Sequence, residues 1–133
     1  MYLEYVVPGP PISNQSPGAN LNHWRAVIEA EAKRLWKHPI LSGNLKAILI
    51  NFYLDTKPSV DVDNMSKPIL DAMEQIVYEN DRQIRQAEIS HVRIDAPFVF
   101  VGASPILVAA VQAGKQFVYV RIEDPIDPFP LPK

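Results

Sequence analysis

Two hydrophobic periods alternate along the chain. Residues 2 to 7, YLEYVV, mix aromatic and β-branched side chains, which suit a pleated, half-buried strand, and they stop at the turn-forming PGPP. From about Asn20 to Lys37 the period becomes helical. Leu21, Trp24, Val27, Ile28 and Leu35 fall on one stripe, and Glu29, Lys33 and Lys37 follow one another at i, i+4 on another. Pro39 lies just beyond and cannot continue the helix. LKAILINFYL, residues 45 to 54, reads as a second strand, with a polar exit loop from Asp55 to Ser59. A second helix follows. It contains Pro68, whose missing N–H is harmless only in or just after the first turn, so the helix is expected to begin near Asn64 with Asp63 or Asn64 as cap. Its buried face would be Ile69, Leu70, Met73, Ile76 and Val77. QIRQAEISHVRI, residues 83 to 94, partly alternates like a half-exposed strand, and QFVYVRI, residues 116 to 122, is a further strand. The pattern predicts an α/β fold in the order β-α-β-α-β-(insert)-β, a mixed β-sheet flanked by two main helices.

The chain of 133 residues has the length of one domain, expected over residues 1–124, with a Pro-rich tail from 125 to 133. The segment from Ala96 to Gly114 carries no charge and reads as an insertion. Its length approaches a membrane span, but Gly102, Ser104, Pro105 and Gln112 interrupt it and its flanks lack a positive bias. A buried strand, turn and short helix are expected there, serving as a lid, a dimer surface or extra core, and no membrane partner. No basic region followed by an apolar run opens the chain, and the absence of cysteine excludes disulfides and thiolate metal sites.

The formal net charge of −2 argues at first against a nucleic-acid partner, since phosphate binding needs a basic face. The distribution weakens that objection. Residues 57 to 95 hold five Lys/Arg against eight Asp/Glu, whereas residues 1 to 56 hold five against four and residues 96 to 133 three against three. The excess acid is local, and cations held by it would reverse the local field.

That acid lies in DVDNMSKPILDAMEQIVYENDRQ, residues 61 to 83. Asp61 and Asp63 are two apart where an extended segment meets a helix, so both carboxylates can point to one side. Asp81 reaches them only through tertiary structure. Magnesium needs few protein carboxylates, because it keeps water and substrate phosphate among its ligands. Lys67 stands four residues after Asp63 and four before Asp71. It can neutralise charge building on a phosphate under attack, or simply pair with Asp71 on the surface. An EF-hand starting at Asp61 is rejected, because Met65, Ser66 and Ala72 stand where that loop needs Asp or Asn, Gly and Glu. His23, His38 and His91 are too dispersed for zinc, and no Walker loop or G-x-S-x-G nucleophile is present.

DVDNMSKPILDAM followed by YENDRQI, with the opening VPGPPISNQS, resembles the RusA family of Holliday junction resolvases. The resemblance implies a homodimeric, magnesium-dependent endonuclease that cuts four-way DNA junctions symmetrically. Carried over by residue, it implies Asp61, Asp63 and Asp81 as metal-binding carboxylates with one or two Mg²⁺ per protomer, and Lys67 as the essential lysine. Asn64 fits a helix cap, and Asp71 a supporting position. Asn80 departs from the family, which often has a second Asp there. Lys57, Arg82 and Arg85, with Lys33, Arg34 and Lys37 as a second patch, are the candidate DNA contacts. A cytoplasmic location in a bacterium or prophage is expected, with no small-molecule organic cofactor. The alternative is a non-catalytic DNA-binding protein on the same scaffold, against which the retention of all four matched polar residues speaks.

Overall fold

Strand-forming residues bring four segments side by side. In the computed structural model, which describes residues 1–133, β1 (Leu3–Pro8), β2 (Leu45–Tyr53), β3 (Ile84–Arg93) and β4 (Phe117–Glu123) form one sheet in the order β1-β4-β2-β3. The β1–β4 and β4–β2 pairs are antiparallel and β2–β3 is parallel. A parallel neighbour needs a crossover, and α2 (Val62–Ala72) supplies it between β2 and β3. The other helices are α1 (Gly18–Leu35) and α3 (Pro105–Ala113).

Alternation gives the sheet two unlike faces. Leu3, Tyr5 and Val7, Leu45, Ala47 and Leu49, and Val118, Val120 and Ile122 lie on the face that meets Trp24, Ile28 and Ala32 of α1 and Met65 and Ile69 of α2. Together these belong to a core of 19 buried residues. On the opposite face Phe52, Ile94, Phe117 and Tyr119 form a smaller buried hydrophobic cluster, with α3 and Phe98 packed on them.

The second helix differs from the expectation at both ends. It begins at Val62 with Asp61 as cap, so Pro68 stands inside it, in the second turn. An internal proline leaves the carbonyl four residues earlier without its donor. Here that carbonyl is Asn64 O, and the backbone N–H of Asn14 in the Pro-rich loop donates to it at 3.0 Å. The helix also stops at Ala72, before Ile76 and Val77. Tyr78 Oη donates to Leu70 O at 2.6 Å, and Gln75 adopts φ 64° in the turn that follows. Val77 is nevertheless fully buried. The segment from Ala96 to Gly114 contains no strand, and although Ser104 caps α3, none of the helix is buried.

Candidate active site on the second helix

The polar face of α2 runs from Asp61 and Asp63, both exposed at its start, through Lys67 to Asp71 in its last turn. Ten residues at 1.5 Å rise put Asp61 about 15 Å from Asp71 along the axis. The turn that ends the helix then brings two further acids to the Asp71 end. Ligand atoms of Asp71, Glu74 and Asp81, all half-buried, lie within 4.8 Å of one another. Asp61 and Asp63 do not join this group. Of the expected carboxylates, the structure therefore places Asp81 beside Lys67 and Asp71, and leaves the other two at the opposite end of the same helix.

Asp81 is held by backbone geometry rather than by its own charge. It opens a 3-10 turn, Asp81–Gln83, capped by Asn80, whose side chain accepts from Arg82 N at 3.0 Å. Buried Gln83 fixes this turn. Its Oε1 accepts from Glu79 N and Asn80 N at 2.8 and 3.1 Å, while its Nε2 donates to Leu41 O and Gly43 O at 2.8 and 2.9 Å. The residue that departs from the family pattern thus has a local task as a cap. Glu74 Oε1 in turn accepts from Asp81 N at 3.1 Å.

Lys67 Nζ lies 3.2 Å from Asp71 Oδ2, and Arg25 of α1 lies 3.8 Å from the same oxygen. The hydrogen bond to Asp71, followed by the charges of Asp71, Asp81 and Glu74, raises the Lys67 pKa above its ordinary value. The ammonium is therefore charged at any physiological pH, and it points into the acidic cluster from an exposed position. Asp71 pairs with two cations, while neither Glu74 nor Asp81 has an ion-pair partner within 4 Å. An octahedral Mg²⁺ with oxygens at about 2.1 Å has ligand atoms about 3 to 4 Å apart, so three carboxylates already this close fit such an ion with small side-chain adjustments.

Beside the cluster, an open cleft of about 480 Å³ runs between α1 and α2, lined by Arg25, Glu29 and Lys33 on one side and Asp71, Glu74 and Gln75 on the other. Among the candidate DNA contacts, Lys33 lines this cleft but pairs with Glu29 at 2.8 Å, and Arg34 pairs with Glu31. Lys37, Lys57, Arg82 and Arg85 are exposed. Arg82 immediately follows Asp81, while Arg85 faces the C-terminal tail near Asp124 and Asp127.

At the other end of α2, Asn51 of β2 is buried and its Nδ2 lies 3.1 Å from His91 Nδ1 on β3. Burial lowers the His91 pKa, against the opposing charge of Asp61. The imidazole therefore favours its neutral form beside the cap of the helix.

Sequence reading missed Glu74 and Arg25. Both had a signal: Lys67, Asp71 and Glu74 recur at helical spacing, and the Glu29, Lys33, Lys37 stripe extended back by four residues reaches Arg25.

The sequence model of the RusA endodeoxyribonuclease family matches residues 14–102, which span α1, β2, α2 and β3 with the whole acidic face. The chain belongs to the RusA family. It is accordingly an endodeoxyribonuclease, on a mixed four-stranded sheet with three helices. The match ends before α3 and β4. No curated protein matches the chain. None of its helices is long and apolar enough to cross a membrane.

Proposed function

We propose that this RusA-family protein resolves four-way DNA junctions by Mg²⁺-dependent, symmetric hydrolysis of two phosphodiesters. The observation that carries the reading is the position of Lys67, an exposed cation 3.2 Å from Asp71 and beside Glu74 and Asp81, in a chain of an endodeoxyribonuclease family. One Mg²⁺ would be held by Asp81 with Asp71 and Glu74. Asp61 and Asp63, the carboxylates that the family resemblance adds, form a second acidic position on the same helix face. At about 12 to 15 Å along the axis, the two positions are too far apart for the two-metal clamp, whose ions sit about 4 Å apart. They would act as separate sites, or close only with DNA bound.

A bound Mg²⁺ supplies positive charge against the phosphate oxygens and makes water a better nucleophile at neutral pH. The chain's own residues do the rest. Lys67 is already charged, and its ammonium would stabilise the non-bridging phosphate oxygen that gains charge during attack. Arg25 and Lys33 line the adjoining cleft and would receive the next phosphates of the strand, with Arg82 on the Asp81 side. The Gln83 hydrogen bonds fix the turn, so that Asp81 does not have to be ordered when substrate arrives. One acidic face per chain cuts one strand, so symmetric resolution requires a homodimer whose two-fold axis matches that of the junction. Such a substrate places the protein in the cytoplasm.

Labelled four-way junction and linear duplex, each incubated in Mg²⁺ and in EDTA with parent and Asp81→Asn, test the reading. Paired nicks at symmetric positions should appear only with parent, junction and metal together. Metal-independent binding with no cleavage by either protein would instead make it a DNA-binding relative without chemistry.

A further inference from the structure

The Pro-rich loop after β1 takes no part in the chemistry of the acidic face, yet it is fixed at both ends. Gly9 N–H donates to Gln116 O at 3.1 Å, Pro11 is buried, and Asn14 N–H donates to Asn64 O of α2 at 3.0 Å. Between this loop and α1 lies a slot of about 400 Å³. Pro8 and Pro10 line it from the loop. Asn20, His23, Trp24 and Val27, at i, i+3, i+4 and i+7 on one side of α1, line it from the helix. Trp24 is 4% exposed and its indole N–H has no hydrogen-bond partner, whereas a buried indole usually finds one. Asn20 and His23 are exposed. No Lys, Arg, Asp or Glu lines the slot.

We infer that this slot receives one unpaired base of the DNA cut at the acidic face, an inference that rests on the junction-resolving reading above. Chemistry decides among occupants. Phosphate contacts require a cation, and the lining supplies neither Lys nor Arg. A wholly apolar side chain from a partner protein would meet the prolines and Val27 but leave the Asn20 amide and the Trp24 N–H without partners. A base satisfies both kinds of surface. Its flat face suits Pro, Trp and imidazole, and its edge carries donors and acceptors without net charge, matching an amide that offers both. Apolar walls with a few polar groups, in a volume of this size, are the usual make-up of a pocket for a small organic group.

The slot also borders the acidic strip. Trp24 directly precedes Arg25, which lies 3.8 Å from Asp71, and the loop meets α2 at Asn64, the residue after Asp63. A strand with a phosphate at the strip therefore runs its neighbouring nucleotides past α1. Taking a base out of the stack costs least where pairing is already interrupted, as it is where strands exchange. A slot for one base thus favours a branch point over linear duplex, and a loop already held at both ends adds little ordering cost to the capture.

Fluorescence anisotropy in EDTA tests the inference. It compares binding of a labelled four-way junction with a series in which one nucleotide near the crossover at a time is abasic. The proteins are the parent and an Asn20→Ala, His23→Ala double variant. Both side chains are exposed, so the variant should keep the parent's circular dichroism and urea midpoint. In the parent, one abasic position should weaken binding about tenfold, the scale of one base–aromatic stacking contact. The double variant should bind the intact junction more weakly by a similar factor and be indifferent to that abasic position, because the two changes remove one shared contact. The inference is overturned if no abasic position weakens the parent, or if the same position weakens both proteins equally. A synthetic peptide of residues 125–133 that binds the parent and not the double variant would make the slot a peptide site and overturn it too. Cleavage in Mg²⁺ keeps the two readings apart. Base-dependent binding without cleavage upholds the slot and overturns the nuclease reading, whereas junction cleavage by a parent blind to every abasic position does the reverse.

Discussion

The two faces of this sheet differ in what covers them and in what they can do. One meets α1 and α2 and buries 19 residues; beyond those helices lies the polar strip with Lys67, Asp71, Glu74 and Asp81. The other is sealed at one end by α3, has a buried hydrophobic cluster of four residues, and at its far end carries an ion-pair network in which Lys46 lies 2.9 Å from Glu88 and Arg121 lies 2.8 Å from Glu123. On that second face Tyr119 Oη donates to Glu4, and burial followed by Glu4 pushes its phenol up to about 12. The contrast shows how a small nuclease divides its labour. The well-packed face holds α2 and its polar strip rigid, because groups that act within a fraction of an ångström need support that does not yield. The thinly packed face leaves apolar side chains such as Val99, Phe100 and Val101 exposed.

Core truncation on each face should therefore have unequal effects. Ile69 lies fully buried on the inner face of α2, and Ile69→Ala should cost about 2 to 5 kcal/mol, the range for a buried aliphatic that leaves a cavity. Leu107 of α3 is half-buried, and Leu107→Ala should cost at most about 1.5 kcal/mol. Urea unfolding of both variants measures this. Equal losses would mean that α3 belongs to the main cooperative core, and that the division between faces is not energetic.

The next largest effect falls on chemistry alone. Lys67 is exposed and supports no packing, so Lys67→Ala should leave stability and junction binding near parental values. Cleavage should fall by about 10² to 10³, the usual cost of removing one preorganised donor to a transition-state oxyanion. If binding and cleavage fall together, the lysine serves affinity and the polar strip of α2 is a docking face.

Magnesium separates the two ends of that strip. A ligand present at about 100 times its Kd stabilises the folded state by about 2.7 kcal/mol. That increment in thermal midpoint should vanish in Asp81→Asn, which loses a member of the assembled cluster. Clustered carboxylates repel one another without metal, so Asp81→Asn should also be no less stable than the parent in EDTA. Asp63→Asn asks whether the start of the helix shares the ion. If it too abolishes the Mg²⁺ increment, the two ends act as one site in solution, closer together than the resting geometry has them. If the increment survives, Asp71, Glu74 and Asp81 suffice.

How much of this was readable in advance follows the range of each interaction. Strand and helix positions on the packed face came through, because Trp24, Ile28 and Ile69 obey periods set by local geometry. The start of α2 did not. Pro68 inside a helix reads as a violation until Asn14, fifty residues earlier, is seen to satisfy the carbonyl that the proline leaves bare. The acidic residue types and Lys67 were legible too, but not which of them meet. Asp81 is positioned by Gln83 bonding to Leu41 and Gly43, a contact across some forty residues that no spacing encodes. The 96–114 segment misled for a related reason. Its apolar content predicted burial, and composition cannot distinguish an apolar residue buried in the core from one left exposed on the surface.

The smallest predicted effect concerns the start of α2, where Asn51 and His91 lie under the helix cap. Burial holds His91 below its ordinary pKa near 6.5, and the carboxylate of Asp61 opposes that shift. Lowering a histidine's folded pKa means that, below 6.5, the unfolded chain takes up the proton more readily than the folded one. Stability is then fully present above that pH and is lost as pH falls through the depressed folded value. Urea midpoints in EDTA on each side of pH 6.5 should show this loss in the parent and a flatter response in His91→Gln. Asp61→Asn sharpens the test, because it removes the charge that limits the depression while leaving Asn51 and the burial in place. The loss at low pH should become steeper in that variant. An unchanged profile would mean that the Asp61 carboxylate points away from His91 in solution, toward the face it shares with Asp63.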